Sequence, residues 1–349
     1  MITELEIPND ITEIKRCAFY TCSSFTSVTI PDGVTSIGDY AFYKSPSLTS
    51  VTIGNGVTSI GSYAFNNCPS LASVTIGDGV TSISGSAFHS CSSLSDVYIS
   101  DLSAWCKIDF EADASNPLYY GGGKLYLNNV EVTELVIPDD ITEIKNYAFS
   151  GCSSLTSINI PDAVTLIGEF AFRNCSSLAS LTLGSGLTSI GSSAFSGCSS
   201  LPSINIPDGV TEMGDWVFDG CSSLTSVTLG SGLTSISDEA FYDCSSLTSI
   251  NIPDGVAEIG YRSFQYCSSL TSVTLGSGLT SIDSRAFAGC SLSDVTCKAT
   301  NPPTLDSILS SEYYVFDTTS SAILYVPIGC STAYSESDWA QYFTTIEEK

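Results

Sequence analysis

Fourteen cysteines and a single histidine are the residues of this 349-residue chain with the most capacity for chemistry. Ten of the cysteines share one phase, three positions after a recurring Phe: Cys22, Cys68, Cys91, Cys152, Cys175, Cys198, Cys221, Cys244, Cys267 and Cys290, with Ser45 in the one remaining place. Thiols so spaced can bridge, hold zinc or simply pack. In a stack of equal coils they lie about 4.8 Å apart and stay parallel. A disulfide needs converging Cβ atoms roughly 3.5–4.5 Å apart, and zinc needs a tetrahedral cage. The spacing therefore predicts buried free thiols that fill small core spaces, and no metal site. Cys17, Cys106, Cys297 and Cys330 lie off the phase, and Cys297 with Cys330 is the one pair in which a disulfide is entertained.

His89 occupies a variable slot that elsewhere holds Tyr20, Asn66, Arg173 or Gln265, which predicts an exposed loop residue. A lone histidine in such a slot gives a Ser-His-Asp or Cys-His mechanism nothing to build on. The carboxylates Asp162, Asp208 and Asp254 recur with the turns and read as solvated turn residues rather than acid–base pairs. No G-x-G-x-x-G or Walker sequence is present. No catalytic residue and no cofactor is expected.

The elements that position these residues follow from self-similarity. Ala-Phe recurs every 23 residues at Phe19, Phe42, Phe65 and Phe88, and again, after one interruption, from Phe149 to Phe287. In one unit, Val51 and Ile53 alternate with Thr52 as in a strand. Gly54-Asn55-Gly56 supplies a turn, Val57 and Ile60 a second short strand, and Ala64-Phe65 a helical turn that closes the coil. No unit can bury Leu48, Val51, Ile53, Val57, Ile60 and Phe65 alone, so units must stack. Thirteen such strands predict an elongated, curved rod with a sheet of roughly 60 Å. In the second half, Ile-Asn-Ile-Pro and Val-Thr-Leu-Gly strands alternate with a period of 46 residues, which reads as duplication of unit pairs.

Composition bounds the function. With 43% hydrophobic residues the chain can bury a sizeable core, and 37 acidic against 11 basic residues give a net charge of −26. Such a balance argues against nucleic-acid binding, which needs clustered cations, and against docking on anionic lipid. No run approaches the roughly 18 apolar residues of a membrane span. The opening MITELEIPND lacks a basic start and an apolar block, so it reads as a repeat strand rather than a signal peptide.

The unit L-x-x-V/I-x-I-P-x-x-V-x-x-I-x-x-x-A-F-x-x-C-x-x resembles the 23-residue leucine-rich repeats of BspA-like surface proteins, from residue 2 to about 293. The ending, with Leu324-Tyr325-Val326-Pro327, Trp339 and Phe343, looks like a terminal cap of that family. The resemblance implies a repeat solenoid: a curved, right-handed leucine-rich-repeat coil with a parallel sheet on the concave face, and short strands and helical turns on the other walls. It also implies a non-catalytic, extracellular or cell-surface location and adhesion, commonly to host or matrix proteins. The expected organisation is repeats over 1–93, an irregular insertion over 94–131 joining two arrays, repeats over 132–291, and a strand and cap over 292–349.

Two groups of residues are candidates for contact with a partner. The concave face of the sheet is expected to present Thr49, Thr52, Thr75, Asn159, Asn205, Thr228 and Asn251, a small polar surface that is either solvated or a protein-binding face. The insertion concentrates Trp105, Phe110, Tyr119, Tyr120 and Tyr126, with Asn128-Asn129 as a hairpin turn. These aromatics either seal the junction or contact a protein or a sugar. A second stripe, Tyr40, Tyr63, Tyr147, Phe170 and Trp216, precedes the repeat Ala and is read as edge packing or as part of a glycan surface.

Overall fold

A computed structural model describes residues 4–119, 122–306, 314–316 and 322–349. The chain divides into two units, Met1–Ile158 with Phe170–Ser177, and Asn159–Glu169 with Leu178–Lys349. Each is built as a parallel β-solenoid.

In the first unit, Glu4–Glu6, Ser27–Ile30, Ser50–Ile53, Ser73–Thr75, Asp96–Ile99 and Lys124–Leu127 form one parallel wall. Its register sets Val28 beside Val51, Val51 beside Val74 and Val74 beside Val97. Alternation puts the valines inside and the Thr29, Thr52 and Thr75 row outside. A second wall stacks Glu13–Ile14, Ser36–Ile37, Ser59–Ile60, Ser82–Ile83 and Asp109–Phe110. The second unit repeats the scheme, with Ser249–Asn251, Ser272–Leu275, Asp294–Cys297, Ile323–Val326 and Thr345–Glu348 as its longest run.

The third wall is a ladder of turns, where the sequence suggests helical turns. Phe42 N–H donates to Ala64 O at 2.7 Å and Phe218 N–H to Ala240 O at 2.8 Å, so these amides bond to the next coil instead of within a helix. Two residues per coil adopt left-handed backbone, for example Tyr63 (φ 59°) before the Ala and Asn67 (φ 59°) after the Phe. Those two reversals turn the chain at each end of the Ala-Phe step. They bring the Phe rings into vertical register, with centroids 5.1 Å apart for Phe42–Phe65 and 5.3 Å for Phe65–Phe88. The same column runs through Phe195, Phe218, Phe241, Phe264, Phe287 and Phe316 in the second unit.

The thiol ladder is where the spacing puts it. Eight of the ten on this phase, Cys68 through Cys267, are buried, whereas Cys22 and Cys290 are only half-buried, and all fourteen cysteines are free. The entertained Cys297–Cys330 bridge is absent: buried Cys297 instead accepts the hydroxyl of Tyr334 at 3.2 Å.

Threonine and aspartate tie the coils together from outside. Thr58 Oγ1 donates to Thr35 O at 3.0 Å and Thr81 Oγ1 to Thr58 O at 3.1 Å. Asp162, Asp208 and Asp254 accept the N–H of Ser185, Ser231 and Ser277 at 2.6, 2.8 and 2.9 Å, each exactly one coil away. A Pro-Asp turn presses its carbonyls against the next turn, where a Cβ on Gly232 would meet Asp208 O at 2.3 Å and one on Gly230 would meet Pro207 O at 2.2 Å. In the second unit turns rich in Asp and turns rich in Gly alternate.

Residues 94–131 carry both walls onward. Asp96–Ile99 pairs with Ser73–Thr75, Asp109–Phe110 with Ser82–Ile83, and Lys124–Leu127 with Asp96–Ile99. The extra residues form a five-residue helix, Leu102–Cys106, capped by Asp101, whose carboxylate accepts the N–H of Ser103 and of Ala104. Asn128 (φ 51°) and Asn129 (φ 66°) turn the chain into an antiparallel hairpin that pairs Tyr126 with Glu131.

Candidate functional site

The outer face of the long-strand wall is the first candidate surface. Thr52 and Thr75 are register neighbours in the first unit, and Asn205 with Thr228 in the second. Thr52, Asn159, Asn205, Thr228 and Asn251 are exposed and Thr75 half-buried. Thr49 stands apart from this row. It sits at the strand start, and its hydroxyl is committed to Thr26 O at 2.9 Å. The row is polar, short-chained and regular, and supplies hydrogen-bonding groups but no anchor.

The aromatics of 94–131, for which sealing the junction and contacting a partner were both open, separate into two kinds. Trp105 and Phe110 are 1% and 4% exposed, packed on each other with centroids 5.3 Å apart. The Trp105 indole N–H donates to Ala148 O at 3.0 Å. Both rings close the core over the enlarged coil and leave no face for a ligand. Tyr119 is half-buried, and Tyr120 lies outside the described residues.

Tyr126 is different. Its ring stands on the outer face of the wall, stacked on Tyr98 with centroids 4.7 Å apart. Tyr98 takes the outer position that Thr75 holds in the preceding strand. The only sequence signal for it was Asp-Val-Tyr-Ile where other strands read Ser-Val-Thr-Ile. Burial, and the charge of Asp96 after it, push the Tyr126 phenol above its ordinary range.

Beyond Tyr126 the hairpin leaves a hollow of about 370 Å³ lined by Leu102, Leu127, Val130, Val132 and Val136, with Glu131 and Glu134 among its walls. Val130 and Val136 are 69% and 62% exposed, the most exposed large apolar side chains described in the first unit. Apart from Tyr98 and Tyr126, the outer positions of the wall beside them carry polar side chains such as Thr29, Thr52 and Thr75. Lys124 reaches Glu131 at 3.5 Å and so sits beside the same hairpin.

The turn wall is the second candidate surface. Tyr40 and Tyr63 stack at 5.0 Å, as do Tyr20 and Tyr43, while Tyr147 stacks on Phe170 at 5.1 Å. Trp216 in the second unit is 41% exposed.

The remaining chemistry is sparse. His89 is exposed, with its ring Nδ1 hydrogen-bonded to Ser90 Oγ at 2.9 Å. Among the described residues no group of three His, Cys, Asp or Glu is placed to hold a metal ion. No described helix is long and apolar enough to cross a membrane.

The pattern that builds these walls has known counterparts. The family model for the BspA type leucine rich repeat region matches in six copies over residues 1–111, 122–244 and 188–316. A leucine-rich repeat protein from Bacteroides ovatus is 26% identical, with 99% of this chain and 91% of that one covered and a TM-score of 0.65. The pneumococcal vaccine antigen PcpA shares the fold at 18% identity, with 100% of this chain and 89% of that one covered and a TM-score of 0.55. A leucine rich cell surface protein from Faecalibacterium prausnitzii is 25% identical, with 88% of each chain covered and a TM-score of 0.44. No curated protein matches the chain.

Proposed function

The chain belongs to the BspA-type leucine-rich-repeat family, and on that premise we propose that it is a non-catalytic interaction protein, surface-displayed or secreted, that holds a protein partner against the long-strand wall of its first unit. One observation carries this reading. At and beside the hairpin, half-buried Tyr98 and Tyr126 and exposed Val130 and Val136 bring aromatic and apolar groups to a face that otherwise carries polar side chains. Water is displaced there at a gain of about 25 cal/mol per Å² of apolar surface covered. Tyrosine is among the residues that most often dominate such contacts.

The surrounding Thr and Asn row gives the rim hydrogen-bonding capacity. Glu131 and Glu134 favour a partner that brings basic side chains alongside its apolar ones. Regular walls such as these are well suited to presenting a fixed surface, since the backbone is paired on both sides and pays little to order on binding.

The test is a binding screen of the purified chain against arrayed secreted and matrix proteins, repeated with Val130→Asp, Val136→Asp and Tyr126→Ser. Val130 and Val136 are exposed and Tyr126 stands half-buried on the outer face, so the fold is expected to survive. Loss of the captured partner by at least about tenfold in these variants supports the site. Capture unchanged by all three, or no partner in the array, ends this assignment.

A further inference from the structure

We propose that the turn wall of the first unit is a separate binding site for an acidic polysaccharide, one built of uronic-acid sugars. The site is made of two short columns of stacked rings. Tyr40 lies on Tyr63 and Tyr20 on Tyr43, each pair 5.0 Å apart, and Tyr40 meets Tyr43 edge-on at 5.5 Å to join the columns. Tyr20 and Tyr63 are 46% and 38% exposed.

Cations complete it. The Arg16 guanidinium lies over the Tyr40 ring at 5.6 Å and the Lys44 ammonium over the Tyr43 ring at 5.3 Å. Both cations belong to exposed side chains, so ring contact fixes each charge while its outward N–H groups face solvent. These two cations are a sizeable share of the chain's 11 basic residues against 37 acidic ones. At physiological ionic strength charges more than about 8 Å away are largely screened. Asp39, next to Tyr40 and bonded through its backbone to Cys17, lies within that range, so an anion at this wall is governed by Arg16 and Lys44 set against Asp39 more than by the distant acidic residues.

The pitch of the columns selects the class of ligand. An extended peptide presents side chains on one face every two residues, about 6.6 Å, which is out of step with ring columns at 5.0 Å. A pyranose chain running from coil to coil offers a sugar ring at intervals comparable to the coil spacing. Within each column the rings cover one another, and Arg16 and Lys44 lie over Tyr40 and Tyr43. The sugar's C–H groups therefore meet the exposed Tyr20 and Tyr63 at the column ends, and its carboxylates meet Arg16 and Lys44. The site does not depend on the hairpin site proposed above, and Val136→Asp is expected to leave it intact.

The experiment measures binding of hyaluronate oligosaccharides, neutral dextran of equal length and poly-glutamate to the whole chain by biolayer interferometry. Hyaluronate is expected to bind, more weakly as salt is raised, and dextran and poly-glutamate far less. Arg16→Ala with Lys44→Ala is expected to weaken hyaluronate about tenfold or more, and Tyr63→Ala also to weaken it, with circular dichroism and melting showing the fold retained. Absence of hyaluronate binding, equal binding of poly-glutamate, or full affinity in the double cation variant would overturn the proposal.

Discussion

The thiol of Cys244 donates to the carbonyl oxygen of Phe218 at 3.2 Å, across one coil boundary and 26 residues of sequence. The same oxygen accepts the N–H of Cys221 at 3.1 Å within its own coil. Both acceptor positions of a buried carbonyl are thus filled, and the cysteine column becomes intelligible. Its side chain is small enough for the space under the Phe rings and still brings a weak donor that alanine lacks. The relation recurs from Cys91 to Phe65 at 3.1 Å and from Cys267 to Phe241 at 3.2 Å.

Burial pushes the thiols of Cys152 and Cys267 up to about 12, so the reactive thiolate is scarce at neutral pH. In the native protein, iodoacetamide is expected to label exposed Cys17 first and half-buried Cys22, Cys290 and Cys330 next. The interior column should label only after unfolding. Peptide mass mapping of a time course checks this, and Cys244 labelled as fast as Cys17 would contradict it. Cys244→Ala should cost about 1–2 kcal/mol, by stripping a donor and opening a small void.

Ser263 stands where neighbouring coils carry Ala240 and Ala286, fully buried with its hydroxyl lacking any hydrogen-bond partner. An unpaired buried hydroxyl costs about 1–3 kcal/mol. Ser263→Ala is therefore expected to stabilise the chain by about that amount, as an upward shift of the denaturant midpoint. An unchanged or lower midpoint would mean that the hydroxyl is satisfied in solution.

Much of this architecture was legible because its signals are periodic. Phe65 and Cys68 could be placed in the core from phase alone, and Val51 and Ile53 on the inner face from alternation. The turn wall was not legible as turns, since left-handed backbone at Tyr63 or Lys44 has no glycine to announce it. Trp105 allowed two readings, a seal over the junction or a contact surface, because a break in the pattern fits either. The added residues fold into a short helix that carries the indole inward to Ala148. Tyr98 was missed because it sits inside an ordinary strand, and only its stacking on Tyr126 marks it.

Backbone strain on the turn wall yields a further expectation. Thr21 holds φ at 56° in a slot that Gly151, Gly197, Gly220 and Gly289 occupy elsewhere. A left-handed L-residue costs roughly 1–2 kcal/mol, while glycine loses roughly 0.5–1 kcal/mol in chain entropy. Thr21→Gly should leave a net gain of about 0.5–1 kcal/mol, seen as slightly higher resistance to thermal or chemical unfolding. Destabilisation would show that the threonine side chain contributes more than its strain costs.

Acid sensitivity separates two kinds of aspartate. The N–H of Ser185, Ser231 and Ser277 holds Asp162, Asp208 and Asp254 below the usual carboxylate range, with Lys298 assisting at Asp254. A carboxylate lowered on folding stabilises the native state above its unfolded value near 4, and that contribution is lost as pH falls through the folded value. Burial raises Asp215 and Asp283, so these two cost stability at neutral pH and are relieved first on acidification. The self-repulsion of a net charge of −26 is relieved in the same direction. The melting temperature should therefore rise from pH 7 toward about 5 and then fall below about 4. Asn55 shows how to isolate the falling limb, since its amide oxygen accepts the N–H of Asp78 at 3.0 Å and does not titrate in this range. Asp208→Asn should keep the cross-coil hydrogen bond while flattening the loss below pH 4, measured by melting across a pH series. A variant with the same acid limb as the parent would show that these turn carboxylates do not govern it.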